Sequence, residues 1–443
     1  IMMLSSLSIA AHHSICFEDL SSDAIKARFK IFKPDIILCR CKLESRLRKI
    51  LSESEFNTIP ILSIDLNLKI QDKEFDSKKL SLNYGYSDNC SLFTLFTSGS
   101  TGLPKAVTHS AKKYIKFAAF TTSYFFGIKK GSCIFTATDA GWINGHTYAF
   151  YGPLLLGAIS VINENPLFIS LPRQLGEVLE GTRPDCFYTS VTVLRLLKST
   201  VENNQTINDF SNNLDLERIG SCGEPLADVV GQWAIKFFQT KRKSIVNTYF
   251  QTETGGVLVA PRDEDEISKD YSCVGKPRPE LGLSIAKDVL TYNEIIEESL
   301  DPQEILICKP WDGIFKEVIS NTESNYFTKS GYFRLHDVGY KDENDFLFIG
   351  GRSDDVINVA GHRISSSEIE NICLELNDIK EACAVAVKDD FCGSKVELYF
   401  SSSLKTKSFS SLEIKLKKLI LNRLTNYHVP KNFYFFKNLP KTK

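Results

Sequence analysis

A chain of 443 residues, 43% hydrophobic and 24% charged, has ordinary globular composition and enough length for two or three domains. Fifty-three basic against fifty-four acidic residues leave a net charge of −1, which excludes a global field that recruits nucleic acid or an anionic membrane. Twelve scattered cysteines with no C-x-x-C pair argue against a disulfide framework or structural zinc and suit reduced thiols in a cytoplasmic chain.

The opening IMMLSSLSIAA lacks a basic n-region and an initiating methionine, so it reads as the interior of a domain rather than a secretory signal. CKLESRLRKIL then sets Arg46 and Arg48 on a basic helix face. LFTLF (92–96) is an apolar strand, and FTSGSTGLPKAV, starting at its last residue, follows with hydroxyls, glycines and a lysine that could hold an anion. The comparison with G-x-x-x-x-G-K-[ST] fails, because Pro104 replaces the second glycine and Ala106 the hydroxyl of that phosphate loop. Helical HSAKKYIKFAAF (109–120) and strand CIFTAT (133–138) come next. The apolar run from Tyr148 to Ile162, broken by Gly152, Pro153 and Gly157, is too short to span a membrane and reads as buried core.

PRQLGEVLEG (172–181), CFYTS (186–190), VLRLLKS (193–199), LERIGS (216–221), PLADVVGQWAIKFF (225–238) and SIVNTYF (244–250) alternate helix with strand, so an α/β fold with sheets flanked by helices is expected. Stretches 202–213 and 262–272 are polar and read as surface loops. The pattern changes near GGRSDD (350–355). A helix opened by Ser365 with Glu368 three residues on, then strands EACAVAV and VELYF, make a small α+β unit. The boundary is placed at Asp354, giving a large domain over 1–353 and a small C-terminal one over 354–443.

Five blocks in order, TSGSTGLPK, DAGWINGH, GSCGEPL, NTYFQTETGG and GRSDDVINVAGHRISSSEIE, resemble the adenylate-forming superfamily of acyl-CoA ligases, luciferases and adenylation domains, and are most similar to its short-chain acetyl- and propionyl-CoA synthetase branch. The resemblance implies a ligase that joins a short carboxylic acid to ATP as an acyl-adenylate and then to CoA, with Mg2+ and a mobile small domain. Thr97, Ser98, Gly99, Ser100, Thr101, Gly102 and Lys105 would form its phosphate loop. Gly223, Glu224, Pro225, Asn247, Thr248, Tyr249, Phe250, Gln251 and Thr252 would face the nucleotide, with Glu253 on the metal. Asp337 would hold the ribose, Arg352 and Arg363 would lie near ribose and phosphate, and Asp354 would be the hinge. Asn247 departs from the acetate branch, which usually has Asp there.

The acyl pocket implied by this resemblance comprises Ile143, Asn144, Cys222 and Phe250. Phe250 and Cys222 stand where the acetate pattern has Trp and Val, so room for a methylene or more follows, and propionate rivals acetate. Asn144 is a polar group facing either a hydroxyl or carbonyl of the acid, or CoA or backbone. Asn144, Ala360 and Gly361 are CoA-side positions, and Arg46 and Arg48 are candidates for its nucleotide phosphate beside the plain reading as a basic helix face. His13, His109 and His428 read as structural, and His146 as shaping the pocket. The family's terminal PKTxSGK lysine is not reached at LPKTK443, and the start matches a segment that normally has more ahead of it, so the chain reads as truncated at both ends. A non-catalytic nucleotide-binding relative is therefore the alternative. Transfer to a carrier protein keeps the same first step, but no carrier domain is visible. Partners are expected to be the acid, ATP and CoA, with no nucleic acid and no membrane.

Overall fold

The computed structural model describes residues 2–52, 54–64, 90–97, 104–163, 171–203, 214–262, 270–298, 300–319, 326–353, 356–359, 362–376, 378–389, 393–402, 409–424 and 426–440. SLFTLFT forms the strand Ser91–Thr97, buried from Leu92 to Phe96, and pairs antiparallel with Lys105–Ser110 in a register that sets Thr97 opposite Lys105. His13–Ser14 and Glu317–Ile319 complete this four-stranded sheet on either side of the hairpin. The helix Ala111–Phe126 follows directly and stops at Gly127, whose φ of +68° lets its N–H reach back to the Ser123 carbonyl.

A second sheet has five parallel strands, in the order Ile245–Asn247, Arg218–Cys222, Cys186–Ser190, Cys133–Ala137, Ile159–Val161. Parallel strands need covering on both faces. Leu175, Leu179, Leu194, Leu197, Val230, Ala234 and Phe238, from the helices Pro172–Thr182, Val191–Asn203 and Asp228–Phe238, pack on Phe135, Phe187 and Ile219. Phe125 and Phe126 pack with Ile134, Tyr188 and Cys222 in a separate cluster. Strand order reverses between Cys133–Ala137 and Cys186–Ser190, and in open sheets of this kind ligands bind beyond the strand C-termini at that reversal.

A third, antiparallel sheet runs Leu283–Ile285, Glu304–Ile307, Phe333–Lys341, Leu347–Arg352. The separate C-terminal α+β domain carries the strands Val356–Val359, His362–Ser365, Ile379–Asp389, Gly393–Ser402 and Asn432–Phe435. Its helices Ser366–Leu374 and Phe409–Arg423 bury Ile369, Cys373, Leu412, Leu416 and Ile420 against them.

One stretch departs from expectation. The Tyr148–Ile162 run is core only in its first part: Gly145–Tyr151 is a π-helix, and Leu154, Leu155, Ile159 and Ile162 are exposed. The cause is position, since Ile159–Val161 is the sheet edge. Gly152 is required there, as a Cβ would stand 2.0 Å from Thr122 Oγ1. The eleven described cysteines are free thiols, and among the described residues no helix is long and apolar enough to cross a membrane.

Candidate functional site

Ser98, Gly99, Ser100, Thr101 and Gly102 lie outside the described residues, but the residues flanking that loop, Thr97 and Lys105, are paired across the hairpin. Lys105 Nζ forms an ion pair with Glu253 and lies 5.5 Å from the centre of the Tyr326 ring. Burial disfavours the ammonium, yet the charge and hydrogen bond of Glu253 outweigh it and leave the Lys105 pKa raised. Glu253 belongs to the 3-10 turn Thr252–Thr254, which opens with a capping box between Gln251 and Thr254 and closes on Gly255 at φ +74°. Three contacts fix this turn: His109 Nε2 to the Thr252 carbonyl at 2.7 Å, Trp311 Nε1–H to the Thr254 carbonyl at 3.1 Å, and Phe315 N–H to the Glu253 carbonyl at 3.1 Å.

The same turn reaches the third sheet. Gln251 Nε2 donates to Asp337 Oδ2 at 2.6 Å and to the Leu335 carbonyl at 2.6 Å, and the Tyr249 hydroxyl donates to Asp337 Oδ2 at 2.6 Å. Arg352, opposite Asp337 in the strand register, approaches Oδ1 at 3.5 Å. His336 has φ +54° and the register shifts at Val338/Gly339, so this carboxylate sits at an irregular point of its strand. Burial pushes the Asp337 pKa up, against the pull of Arg352 and the two donors.

Asn247 is committed internally. Its Oδ1 accepts from Ser221 Oγ at 3.0 Å while Nδ2 donates to the carbonyls of Tyr271, Ser272 and Cys273 at 3.3, 3.2 and 3.1 Å, so the amide expected to face adenine staples a neighbouring loop. Thr248 Oγ1 donates to the Ser221 carbonyl and accepts from the Tyr188 hydroxyl, both at 2.7 Å. Gly223, at φ +90°, has open space where a Cβ would point. Glu224, before Pro225, is held by Thr192 and Arg195. Arg46 donates to the backbone carbonyls of Glu18 and Leu20, and Arg48 pairs with Glu44 at 2.7 Å one helical turn away. Arg363 lies opposite Asn358 in a strand pair, without a described side chain. Asp354, Ala360 and Gly361 lie outside the described residues.

Ile143, Asn144, Cys222 and Phe250 do come together. Asn144 Nδ2 donates to Cys222 Sγ at 3.2 Å, and Phe250 packs against the clusters that contain Cys222 and Ile143. Cys222 ends its strand and Asn144 follows the strand Cys133–Ala137, so both stand beyond strand C-termini near the order reversal. Beside them His146 stacks on His13, ring centres 5.7 Å apart, and Phe93 lies 4.3 Å from His146 and 5.3 Å from His109. Burial depresses all three histidines, His13 and His109 to about 4 and His146 to about 3, so they are neutral at pH 7. The structural reading of His109 omitted its grip on Thr252, which joins a strand to a turn far away in sequence and leaves no local signal.

Among the described residues no group of three or more His, Cys, Asp or Glu side chains is arranged to ligate a metal. Glu253 offers carboxylate oxygen, one atom of which meets Lys105. A Mg2+ ion there would draw its remaining ligands from phosphate and water, as that cation usually does.

Residues 1–296 match the family model described as AMP-binding enzyme, and residues 368–443 match the AMP-binding enzyme C-terminal domain. Acetyl-coenzyme A synthetase 2 of Candida albicans is 35% identical over 80% of this chain and 52% of its own length. Acetyl-coenzyme A synthetase 2 of Debaryomyces hansenii is 32% identical over the whole chain and 69% of its own, and acetyl-coenzyme A synthetase of Shewanella sediminis is 30% identical over the whole chain and 71% of its own. The chain thus spans from about half to about seven tenths of the length of these relatives. Its fold is similar to that of the anthranilate CoA ligase AuaEII in complex with anthranoyl-AMP, with a TM-score of 0.79 at 16% identity over 99% of this chain and 81% of that one. The o-succinylbenzoate CoA synthetase MenE of Bacillus subtilis, in complex with its acyl-adenylate OSB-AMP, gives 0.75 at 17% identity over 99% and 82%. By sequence and fold alike, the chain belongs to the AMP-binding enzyme family of adenylate-forming proteins.

Proposed function

We propose that this chain is the body of an ATP-dependent, AMP-forming acyl-CoA ligase for a short carboxylic acid, acting in the cytoplasm. One observation carries the reading. The turn Gln251–Thr254 meets Lys105 at the foot of the hydroxyl-rich loop through Glu253, and meets buried Asp337 through Gln251. The Lys105 ammonium, suited to phosphates, and an acceptor suited to two ribose hydroxyls are therefore joined by one segment. Tyr249 flanks the acceptor through its hydroxyl, and the Asn144–Cys222 pair stands at the C-terminal ends of the parallel sheet.

In this reading the acid's carboxylate oxygen attacks the α-phosphorus of ATP, the bond to the bridging oxygen breaks, and pyrophosphate leaves. A CoA thiol then attacks the acyl carbon and AMP departs. The chain's own contribution is to orient both reactants and screen the phosphates: Lys105 supplies a fixed cation, Thr252 lies beside the reacting phosphate, and Asp337 fixes the ribose. Bound Mg2+ neutralises phosphate charge, with Glu253 as its protein ligand. We place the domain boundary at Asp354, between the two matched stretches, as the hinge. Arg352 and Arg363 lie on either side of it, and Gly361 with Ala360 would line the thiol path. Acetate and propionate are the reference acids.

The test is acid-dependent exchange of labelled pyrophosphate into ATP by the intact gene product. Exchange supports the ligase. Tight AMP binding with no exchange for any short acid supports a non-catalytic nucleotide-binding relative.

A further inference from the structure

Asn144 is buried, and its carboxamide has a donor end in use and an acceptor end with no partner: Nδ2 donates to Cys222 Sγ at 3.2 Å, whereas Oδ1 is out of contact with solvent and accepts nothing. The orientation of the amide follows from the thiol. Cys222 donates its S–H to the Thr189 carbonyl at 3.5 Å, and burial holds that thiol protonated by pushing its pKa up to about 12. A sulfur whose one proton is already directed elsewhere can only accept from the amide, so the NH2 group must face Cys222 and the oxygen must face away. The nearby Tyr148 hydroxyl does not compensate, since it accepts from the Val257 N–H at 2.6 Å and donates to Thr121 Oγ1 at 3.1 Å. Of the other residues assigned to the acyl pocket, Ile143 and Phe250 are apolar and offer no proton. A buried acceptor left alone is costly and becomes favourable only when a ligand supplies the proton. The position agrees, because Cys222 is the last residue of its strand, next to Cys186–Ser190, and Asn144 follows the strand Cys133–Ala137, so the pair stands at strand C-termini close to the reversal of strand order, where open sheets bind ligands.

We propose that the acid taken into this pocket bears a hydroxyl on its second or third carbon, and that this hydroxyl donates to Asn144 Oδ1. The inference rests on the ligase reading above and narrows its substrate class from short acids in general to short hydroxy acids. The donor end of Asn144 being engaged, a carbonyl on the acid gains no hydrogen bond from this side chain.

Non-hydrolysable acyl-sulfamoyl adenosines test this without turnover. Hydroxyacetyl and 2- or 3-hydroxypropionyl forms are titrated calorimetrically against their acetyl and propionyl counterparts, with AMP alone as a separate probe. At least one hydroxyacyl form is expected to bind about tenfold tighter than its deoxy counterpart. Asn144→Leu, of similar volume, should remove that preference while leaving AMP affinity unchanged. If N144L does not fold, Asn144→Ala withdraws the acceptor at smaller volume and should do the same. Equal affinities in the unmutated protein, or a preference that survives both substitutions, overturns the inference and leaves the ligase reading intact. A raised KM for CoA in N144L with unaltered acyl preference also overturns it, assigning the oxygen to the thiol arm. Failure to bind AMP or any analogue removes the ligase reading, and this inference with it.

Discussion

Acidification should charge His13, His109 and His146 only at the expense of the fold around the hairpin. His109 and His146 are fully buried and His13 is largely so, and burial lowers their pKa values to about 4, about 3 and about 4. In the unfolded chain each returns to about 6.5. Because the folded values are the lower ones, the stability these groups leave intact above pH 6.5 is lost as the pH falls through that value toward 4. At pH 5.5 an unfolded histidine is about 90% protonated and a folded one here only a few per cent, so each takes up about 0.9 proton on unfolding. Integrated from pH 7 to 5.5 this amounts to about 1.2 kcal/mol per histidine and about 3.5 kcal/mol for three, a large share of the roughly 5–15 kcal/mol that holds a typical protein folded. Proton uptake on urea unfolding at pH 5.5, read with an indicator dye, isolates the effect. His109→Gln and His146→Gln should each lower the uptake by about 0.9 proton relative to the parent. A variant with unchanged uptake would mean that its histidine is already charged in the folded protein, which would refute the burial argument.

Three further outcomes follow from particular contacts. Gly255→Ala places a side chain at φ +74° with its Cβ 2.4 Å from the Gly313 carbonyl oxygen, so the melting temperature should fall by several degrees and the Gln251–Thr254 turn should loosen. Arg334 chelates the buried Glu304 at 2.9 and 2.8 Å, so Arg334→Met should cost about 3–5 kcal/mol in chemical denaturation, while the R334M/E304M double variant should recover most of that loss. Asp337→Asn should weaken AMP binding by at least about tenfold in calorimetry, because its amide replaces half of a charged acceptor with a donor. Burial raises the Asp337 pKa, so AMP affinity of the unmutated protein should begin to fall on acidification at a pH above the usual carboxylate range, a dependence that D337N abolishes.

Local pattern carried the central sheet well. CFYTS is the strand Cys186–Ser190, and PRQLGEVLEG opens the helix Pro172–Thr182 with proline in its first turn, where the missing N–H costs nothing. What the pattern missed is non-local. Glu317–Ile319 has three residues and is a strand because Lys105–Ser110, some two hundred positions earlier, offers it an edge. The sheet around Asp337 escaped notice for a related reason: its strands alternate poorly and contain a bulge. The π-helix Gly145–Tyr151 is followed by Gly152, whose lack of a side chain permits its close approach to Thr122, a contact that local pattern does not reveal. At the candidate site, the family resemblance singled out Lys105, Tyr249, Gln251, Glu253 and Asp337, which the fold brings into one connected set. The resemblance could not give the Lys105–Glu253 pair, the internal use of Asn247, or the free oxygen of Asn144, since each depends on where a partner distant in sequence comes to rest.

Detection of the acyl-adenylate tests the central claim most directly. The intact gene product is incubated with ATP, magnesium and, in separate reactions, acetate, propionate, hydroxyacetate and lactate, without CoA, and the products are resolved by mass spectrometry. The account predicts pyrophosphate in equal amount to an acyl-AMP of the mass set by the acid, both absent when the acid is withheld, and thioester on later addition of CoA. ATP consumption that yields AMP or ADP without any acyl-AMP, or bound nucleotide that stays unchanged with every acid, would contradict it.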